Sequence, residues 1–241
     1  MAVTQHTNEH GQPVGFEVPD WQGALPPTAK LLPGRYCHVE RLDANVHAAD
    51  LFAANSTDSD GVNWTYLPYG PFDAISDYRD WVEEVATADD LMFYAIRDLA
   101  RDQAVGVASY LRVALSSGAV EVGHINFSPL LQRSRAGTEA MFLMMQYVFE
   151  ELGYRRYEWK CNALNEPSRS AAIRFGFTYE GTFRYDKVVK GRNRDTAWYA
   201  MVNDDWPGIK ERFVRWLAPT NFDDAGEQKS RLSAGEGARA S

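Results

Sequence analysis

The sequence predicts a mixed α/β fold, in which helices pack on both faces of one mixed β-sheet. Strand-like and helix-like hydrophobic spacing alternate along the chain in the order β-α-α-β-β-β-α-β-α-β-β. Three strand patterns follow one another between residues 91 and 127, joined by short turns. The segment 73–88 has apolar residues at positions 75, 78, 81, 82 and 85, a helical stripe suited to packing on a sheet. Together these patterns predict a layered domain.

The first half of the chain supplies the earlier elements of this fold. The apolar–polar alternation of YCHVERL predicts a strand over 36–42, and three strands joined by turns are predicted over 91–98, 103–115 and 119–127. Helical spacing predicts helices over 44–55 and 73–88, the second with Asp73 as its N-cap. Between these helices the chain reads GVNWTYLPYGPF over 61–72, which predicts an aromatic, proline-containing loop.

The second half continues with alternating helices and strands. Few polar residues occur over 138–152, which predicts a largely buried helix beginning near Thr138. A helix over 166–175 is followed by Gly176, the residue type favoured just after a helix C-terminus. The remaining predictions are strands over 155–163, 177–189 and 195–203, a turn over 190–193 and a last helix over 205–217.

Composition divides the chain into one domain and two terminal segments. Residues 1–30 are polar and rich in Gly and Pro, which predicts an arm lying over a domain. Residues 219–241 contain few large apolar side chains, so we expect a disordered tail. The intervening residues, 31–218, are enough for one domain of ordinary size.

Charge and composition argue against several functional classes. The formal net charge of −8 disfavours nucleic-acid binding. No apolar stretch approaches the ~18 residues that span a bilayer. The N-terminus lacks the pattern of a signal peptide, so we expect a cytoplasmic location and no membrane partner. Cys37 and Cys161 are expected to be small buried residues, and the scattered histidines predict no metal site.

Basic residues precede the helix predicted near Thr138. The segment LLQRSRAGTEA places Arg133 and Arg135 near the positive end of the helix dipole, where an anion would offset their repulsion. Ser134 and Gly137 lie in the same loop. The residues alone leave open an ordinary turn with solvated arginines or a phosphate site. Neither GxxxxGK[ST] nor GxGxxG occurs, so a P-loop or a Rossmann nucleotide site lacks support.

A second polar cluster follows the strand predicted over 155–163. Asn162, Asn165 and Ser168 are spaced three residues apart, where this strand gives way to the next helix. Amide and hydroxyl side chains at a strand end suit an amide-rich ligand. They equally suit helix capping, by Ser168 or by Asn165. Both interpretations remain open on the residues alone.

These segments resemble the GNAT superfamily of acyl-CoA-dependent N-acyltransferases, and within it the RimJ/RimL branch. The resemblance covers about residues 36–207 and is densest over 154–207. It is carried by the stretches EVGHINFSP…TEAM, YEWKCNALNEPSRSAAIRFGFTYEGTFR and VVKGRNRDTAWYAMVNDDWP. The resemblance implies a GNAT-like N-acyltransferase that uses acetyl-CoA or another acyl-CoA as co-substrate and needs no metal.

The resemblance also implies where acyl-CoA binds. The strand over 121–127 would splay from the parallel strand over 155–161, and the acyl-pantetheine arm would enter the gap. Residues 132–138 would hold the pyrophosphate, although two positions that are usually glycine in the family are arginine here. The implied cofactor-binding residues are Val122, Gly123, Ile125, Phe127, Gln132, Arg133, Ser134, Arg135, Ala136, Gly137, Thr138, Asn162 and Asn165.

Two catalytic candidates emerge from the same comparison. Ser168 would donate a hydrogen bond to the leaving sulfur. His124 is either a general base in the gap or a side chain on the far face of the sheet. The aromatic side chains of the loop over 61–72 either bind a flat, apolar or cationic acceptor or only pack at the surface under the N-terminal arm. The aromatic residues of that loop are Trp64, Tyr66, Tyr69 and Phe72.

The expected reaction is direct attack of a neutral primary amine, from a small molecule or a protein N-terminus, on the acyl-CoA thioester. Acetyl is the expected acyl group, and succinyl is the alternative. A catalytically quiet acyl-CoA-binding or sensor module is the alternative function. The sequence does not decide the acceptor, or whether the chain forms a homodimer.

Overall fold

A mixed sheet of eight strands, with helices on both faces, organises residues 6–232, the part of the chain that the computed structural model describes. The strands are β1 His6–Thr7, β2 Pro13–Val14, β3 Leu31–Pro33, β4 Cys37–Arg41, β5 Leu91–Asp98, β6 Gln103–Ala114, β7 Ala119–Phe127, β8 Arg156–Asn162, β9 Thr178–Val189 and β10 Arg192–Val202. The helices are α1 Ala44–Asn55, α2 Ile75–Thr87, α3 Arg135–Gln146, α4 Glu166–Phe175 and α5 Trp206–Leu217. The predicted mixed α/β architecture is confirmed.

Strand order places the only parallel pair of this sheet near its middle. The order is β3-β4-β5-β6-β7-β8-β10-β9, while β1 and β2 form a separate hairpin. β7 and β8 pair in parallel from Ala119 opposite Arg156 to Val122 opposite Trp159, and no further. Beyond that point the two strands diverge, so the predicted splay is confirmed.

The alternating side chains of the sheet belong to two cores. On β5, Phe93 and Ala95 pack with α1 and α2, whereas Tyr94 and Ile96 belong to the core that includes α3 and α5. This alternation follows from the two-residue period of a strand. It explains why the strand is apolar on both faces and why helices cover both sides of the sheet.

An extra residue in β7 creates a β-bulge beside the divergence. Val107 of β6 lies opposite Asn126, and Ser109 lies opposite Gly123, so β7 has one more residue than β6 across this interval. His124 within it has a φ of 50°. Bulges re-aim side chains and interrupt ladder pairing. Here the irregularity falls where β7 leaves β8.

Two predicted helix starts are wrong. α2 begins after Ala74, which makes no side-chain cap, and Asp73 is not its N-cap. α3 begins one turn before Thr138, because the Ser134 hydroxyl accepts the Gly137 N–H at 2.9 Å and thereby caps an earlier start.

The terminal segments contact the domain through a few large side chains. The indole N–H of Trp21 donates to the Ser116 carbonyl at 2.7 Å. At the other end, Phe222 and Leu232 are buried, and the Asn221 amide donates to the Trp216 carbonyl at 2.9 Å. Residues 219–232 therefore depart from the expected disordered tail, because these few anchors outweigh a polar average composition. The expectations for residues 1–5 and 233–241 lie outside the described residues.

Candidate active site

A cleft of about 450 Å³ opens where β7 and β8 diverge. β7, β8, the loop between α1 and α2, and the β9–β10 hairpin all contribute to its walls. This volume suits a small ligand. The predicted site residues that line the cleft are Tyr66, Val122, Gly123, His124, Ile125, Asn162, Asn165 and Ser168.

Most of the aromatic residues expected to bind the acceptor lie elsewhere. Trp64 is buried and packs edge-on against Phe72, with ring centroids 5.6 Å apart, in the core beneath α1 and α2. Tyr69 packs on Trp81 at 4.6 Å. Tyr66 does line the cleft, and its hydroxyl donates to the Leu164 carbonyl at 3.1 Å. Trp64 and Phe72 line a separate pocket beside α1 and α2 and not the cleft, so their role in acceptor binding stays a prediction.

His124 lies in the cleft with an unusual electrostatic environment. Its ring stacks on Tyr69 at 5.6 Å, and its Nδ1 lies 3.3 Å from the Tyr69 hydroxyl. Burial, and then the charges of Arg112, Lys187 and Arg194, lower the pKa of His124 to about 4. The imidazole is therefore neutral near pH 7, with a lone pair available to accept a proton.

This lowered pKa predicts a pH dependence of stability. The unfolded chain binds a proton at His124 near pH 6.5, whereas the folded chain binds it only near pH 4. The contribution of His124 to stability is complete above pH 6.5 and is lost as the pH falls toward 4. Between pH 7 and pH 4.5 the wild type should lose about 2 kcal/mol more than His124→Gln. Urea unfolding at both pH values tests this, and equal losses would contradict it.

Asn165, not Ser168, is the N-cap of α4. The Asn165 Oδ1 accepts the Ser168 N–H at 3.2 Å. The other half of the Asn165 amide, its Nδ2, has no acceptor among residues 6–232. The carboxamide of Asn162 accepts the Leu164 N–H at 2.9 Å and shapes the same loop. The Asn165 side chain can thus cap α4 through its oxygen and still donate to a ligand in the cleft through its nitrogen.

The Ser168 hydroxyl has a defined partner on β8. It accepts the Trp159 indole N–H at 3.0 Å, so its own proton is available for a second hydrogen bond, to a sulfur. Burial raises the pKa of the Cys161 thiol, and a hydrogen bond with Ser168 opposes that change. Ser168 therefore already lies beside a sulfur atom. Both cysteines, Cys37 and Cys161, are buried as predicted.

The segment expected to hold phosphate is the N-terminus of α3. Within residues 6–232 the backbone N–H groups of Arg133, Arg135 and Ala136 have no acceptor. The Gly137 N–H, in contrast, donates to the Ser134 hydroxyl. These groups lie at the positive end of a 12-residue helix. Gly137 is required here, because a Cβ would come within 2.9 Å of the Leu131 carbonyl oxygen. The backbone therefore offers an anion site without a glycine-rich loop.

The two arginines of this segment have different environments. Arg133 is exposed. The Arg135 guanidinium lies between two rings, 4.9 Å from the centroid of Tyr36 and 4.8 Å from that of Phe222. Cation–π contacts of this kind hold Arg135 in the junction with residues 219–232. Sequence reasoning missed Arg174, whose guanidinium donates to the Thr138 hydroxyl at 3.3 Å.

The far end of β7 is tied to the loop between α1 and α2. The Phe127 carbonyl accepts from the Asn63 amide at 3.1 Å and from the Gln132 amide at 2.9 Å. Gln132 also donates to Asn63 at 2.8 Å. The carbonyl predicted to pair with pantetheine is thus already hydrogen-bonded, and neither Phe127 nor Gln132 lines the cleft.

Comparison with known proteins decides the family. A model of the acetyltransferase (GNAT) domain matches residues 39–178, more than half of the sequence. The chain belongs to the GNAT acetyltransferase family. The prediction of an acyl-CoA-dependent N-acetyltransferase of this superfamily is thereby confirmed.

Individual relatives resemble this GNAT chain to different degrees. A GCN5-related N-acetyltransferase from Brucella melitensis is 44% identical, with a TM-score of 0.87 over 89% of this chain and 97% of that one. YdaF of Bacillus subtilis, named as a ribosomal N-acetyltransferase, is 34% identical over 30% of this chain, and the match spans 40% of that protein. RimL, a ribosomal L7/L12 alpha-N-protein acetyltransferase crystallised with coenzyme A, shares the fold at 18% identity, with a TM-score of 0.59 over 71% of this chain and 97% of that one.

The described part of the chain shows neither a metal centre nor a membrane span. Among residues 6–232, no group of three or more His, Cys, Asp and Glu side chains is arranged to hold a metal ion. No helix in that range is long and apolar enough to cross a bilayer.

Proposed function

We propose that residues 31–218 form an N-acetyltransferase domain that transfers an acetyl group from acetyl-CoA to a primary amine by direct attack. The observation that carries this proposal is the divergence of β7 from β8 after Val122 and Trp159. Backbone groups left without a partner strand are strong hydrogen-bonding sites. An extended chain that contains amides, such as pantetheine, can pair with them as an added strand does.

The N-terminus of α3 is the proposed site of the CoA pyrophosphate. The free N–H groups of Arg133, Arg135 and Ala136 and the helix dipole favour an anion there. RimL, which has this fold, was crystallised with coenzyme A. This supports acetyl-CoA as the co-substrate and CoA as the product. The arginine side chains would add to the backbone site, with Arg133 better placed than the stacked Arg135.

The proposed chemistry uses three features of the cleft. His124, which is neutral near pH 7, takes the proton of the attacking amine directly or through a water molecule. Backbone N–H groups at the β7 bulge polarise the thioester carbonyl. Ser168 donates a hydrogen bond to the sulfur as the carbon–sulfur bond breaks, which stabilises CoA as it leaves as the thiolate. The proton taken from the amine passes from His124 to solvent.

Binding and turnover test this proposal separately. Acetyl-CoA, succinyl-CoA and CoA should each raise the melting temperature, and thiol release with a panel of amines should require an acceptor. The names of YdaF and RimL make peptide N-termini worth including beside amino acids, polyamines and aminoglycosides. Binding of acyl-CoA without thiol release in the presence of any of the amines would favour the quiet acyl-CoA-binding module. Absence of binding would overturn both functions. A cytoplasmic location stays a prediction.

Removal of the exposed arginine should affect CoA but not its pantetheine part. Arg133→Gln is expected to raise the Kd for CoA about two- to fivefold, because an exposed ion pair contributes up to ~1 kcal/mol. The effect should shrink at high salt, which screens such pairs. Isothermal titration with CoA and with pantetheine measures the difference. Arg135→Gln is the matched comparison, and a larger CoA effect there would contradict the assignment.

Two substitutions separate the roles of Asn165. Asn165→Ser keeps an N-cap oxygen but removes the amide donor, so stability should hold while the Kd for acetyl-CoA rises several-fold, the effect of one hydrogen bond of ~1 kcal/mol. Asn165→Ala should show the same affinity loss and, in addition, lower stability by ~1 kcal/mol. Thermal unfolding and titration measure both. If Asn165→Ser is stable and binds acetyl-CoA with wild-type affinity, Asn165 acts only as the N-cap of α4.

A further inference from the structure

The β9–β10 hairpin forms one wall of the cleft. At the hairpin tip, the Lys190 ammonium donates to the carbonyls of Trp64 and Gly70, both at 2.8 Å. The loop between α1 and α2 is thereby fastened to the hairpin. Tyr66, from the same loop, reaches across to the Leu164 carbonyl. The cleft beside these contacts has a volume of about 450 Å³, which suits a small molecule.

Positive charge exceeds negative charge around this space. Its basic residues are Arg112, Lys160, Lys187 and Arg194, and its acidic residues are Glu121 and Asp186. The buried Glu121 pairs with both Arg112 and Lys160. Asp186 accepts the Thr196 hydroxyl at 2.7 Å. Among residues 6–232, no carboxylate lies within ion-pair distance of Lys187 or Arg194.

The sheet register places the two unpaired cations together. Arg194 of β10 lies directly opposite Lys187 of β9. Like charges in directly opposed positions destabilise a strand pair. Partial desolvation, and then Arg112 and Arg194, lower the pKa of Lys187. Arg112, Lys187 and Arg194 all line the cleft together with His124, and their charges lower the pKa of His124.

We propose that Arg112, Lys187 and Arg194 bind a carboxylate carried by the amine acceptor. This inference rests on the proposed function and names its substrate class as small amines that bear an acid group, such as amino acids. A bound carboxylate offsets the repulsion between the opposed cations, and a guanidinium matches its geometry. Polyamines and aminoglycosides, which are polycations, would be repelled. The expectation of an apolar or cationic acceptor between aromatic walls is replaced.

Matched pairs of acceptors test the proposal. Thiol release at saturating acetyl-CoA is measured with a set of amino acids and with the corresponding amino acid amides, which keep the amine and lack the carboxylate. We expect kcat/KM to be at least about tenfold higher for the acids, the effect of one charge-assisted hydrogen bond or more. In Lys187→Gln and in Arg194→Gln the acid-to-amide ratio should fall toward one, mainly through KM for the acid.

A neighbouring residue provides the control. Arg192 lies on the same hairpin but is exposed and outside the cleft, so Arg192→Gln removes one positive charge and should preserve the ratio. Equal rates with acids and amides in the wild type, or an unchanged ratio in both cleft variants, would overturn the inference while the N-acetyltransferase proposal stands. A preference for succinyl-CoA with neutral amines, lost in the same variants, would overturn it by placing the carboxylate on the acyl group. Failure to bind any acyl-CoA would instead overturn the proposed function itself.

Discussion

Replacement of Glu139 by alanine is expected to lower the free energy of unfolding by about 4 kcal/mol, because three backbone donors lose a charged acceptor. Glu139 lies buried in the second turn of α3 and accepts the N–H groups of Arg35, Tyr36 and Cys37. Such a cradle of successive N–H groups binds an anion, here one from the same chain. Gly34 makes the approach possible, since a Cβ there would lie 2.5 Å from the carboxylate.

Two variants separate the charge from the volume of this side chain. Glu139→Gln retains the shape but has one acceptor oxygen in place of two, so it should lose less stability than alanine yet clearly more than ~1 kcal/mol. Glu151→Ala removes an exposed carboxylate farther along the same helical segment and should change stability by less than ~0.5 kcal/mol. Urea unfolding at pH 7 measures all three. A loss below ~1 kcal/mol in Glu139→Ala would show that water replaces the carboxylate.

The same contact connects stability with the proposed phosphate site. Glu139 fixes the backbone of Tyr36, and the Tyr36 ring lies against the guanidinium of Arg135 at the start of α3. Phe222 covers the other side of Arg135. The helix end that would receive the CoA pyrophosphate is therefore held by groups remote in sequence. Loss of the Glu139 side chain should therefore also make the N-terminus of α3 less ordered.

Local signals predicted the elements that local interactions decide. Helix α4 was predictable because a glycine follows it. Strand β5 was predictable because a short apolar run lies between turns, and β7 because apolar and polar residues alternate along it. Helix α3 was predicted to begin a turn late, because a mostly apolar run hid the cap at Ser134. Residues 219–232 were missed because burial of Phe222 and Leu232 depends on partners far away in the chain.

The candidate site was predictable on β7 and β8 and not on the hairpin. The polar cluster that contains Asn165 and Ser168 was visible in the residues themselves, whereas the divergence of the strands and the roles of these two residues came from the family resemblance. The cationic pair was missed because the turn was predicted over 190–193, whereas β10 already begins at Arg192. A two-residue turn at Lys190 and Gly191 would have placed Lys187 opposite Arg194 from sequence alone.

Substitution of Ser168 by alanine is expected to lower kcat about 100-fold, the effect of removing one positioned hydrogen-bond donor to a developing negative charge. The hydroxyl acts on the sulfur only as it leaves, so the Kd for acetyl-CoA should stay within about twofold. Acceptance of the Trp159 N–H polarises the hydroxyl and makes it a better donor. Steady-state thiol release and titration with acetyl-CoA measure the two effects.

A double substitution separates this catalytic role from a structural one. Ser168→Ala leaves the Trp159 indole N–H without its acceptor, which should cost ~1 kcal/mol of stability. Trp159→Phe removes that donor and keeps the hydroxyl, so its kcat should fall less than about tenfold, as expected for a positioning residue. In the double variant the two stability losses should be less than additive, because no indole N–H is left unpaired, and none of the lost kcat should return. If kcat rose in the double variant relative to Ser168→Ala, Ser168 would act only by holding β8 against α4, and the leaving sulfur would need another donor.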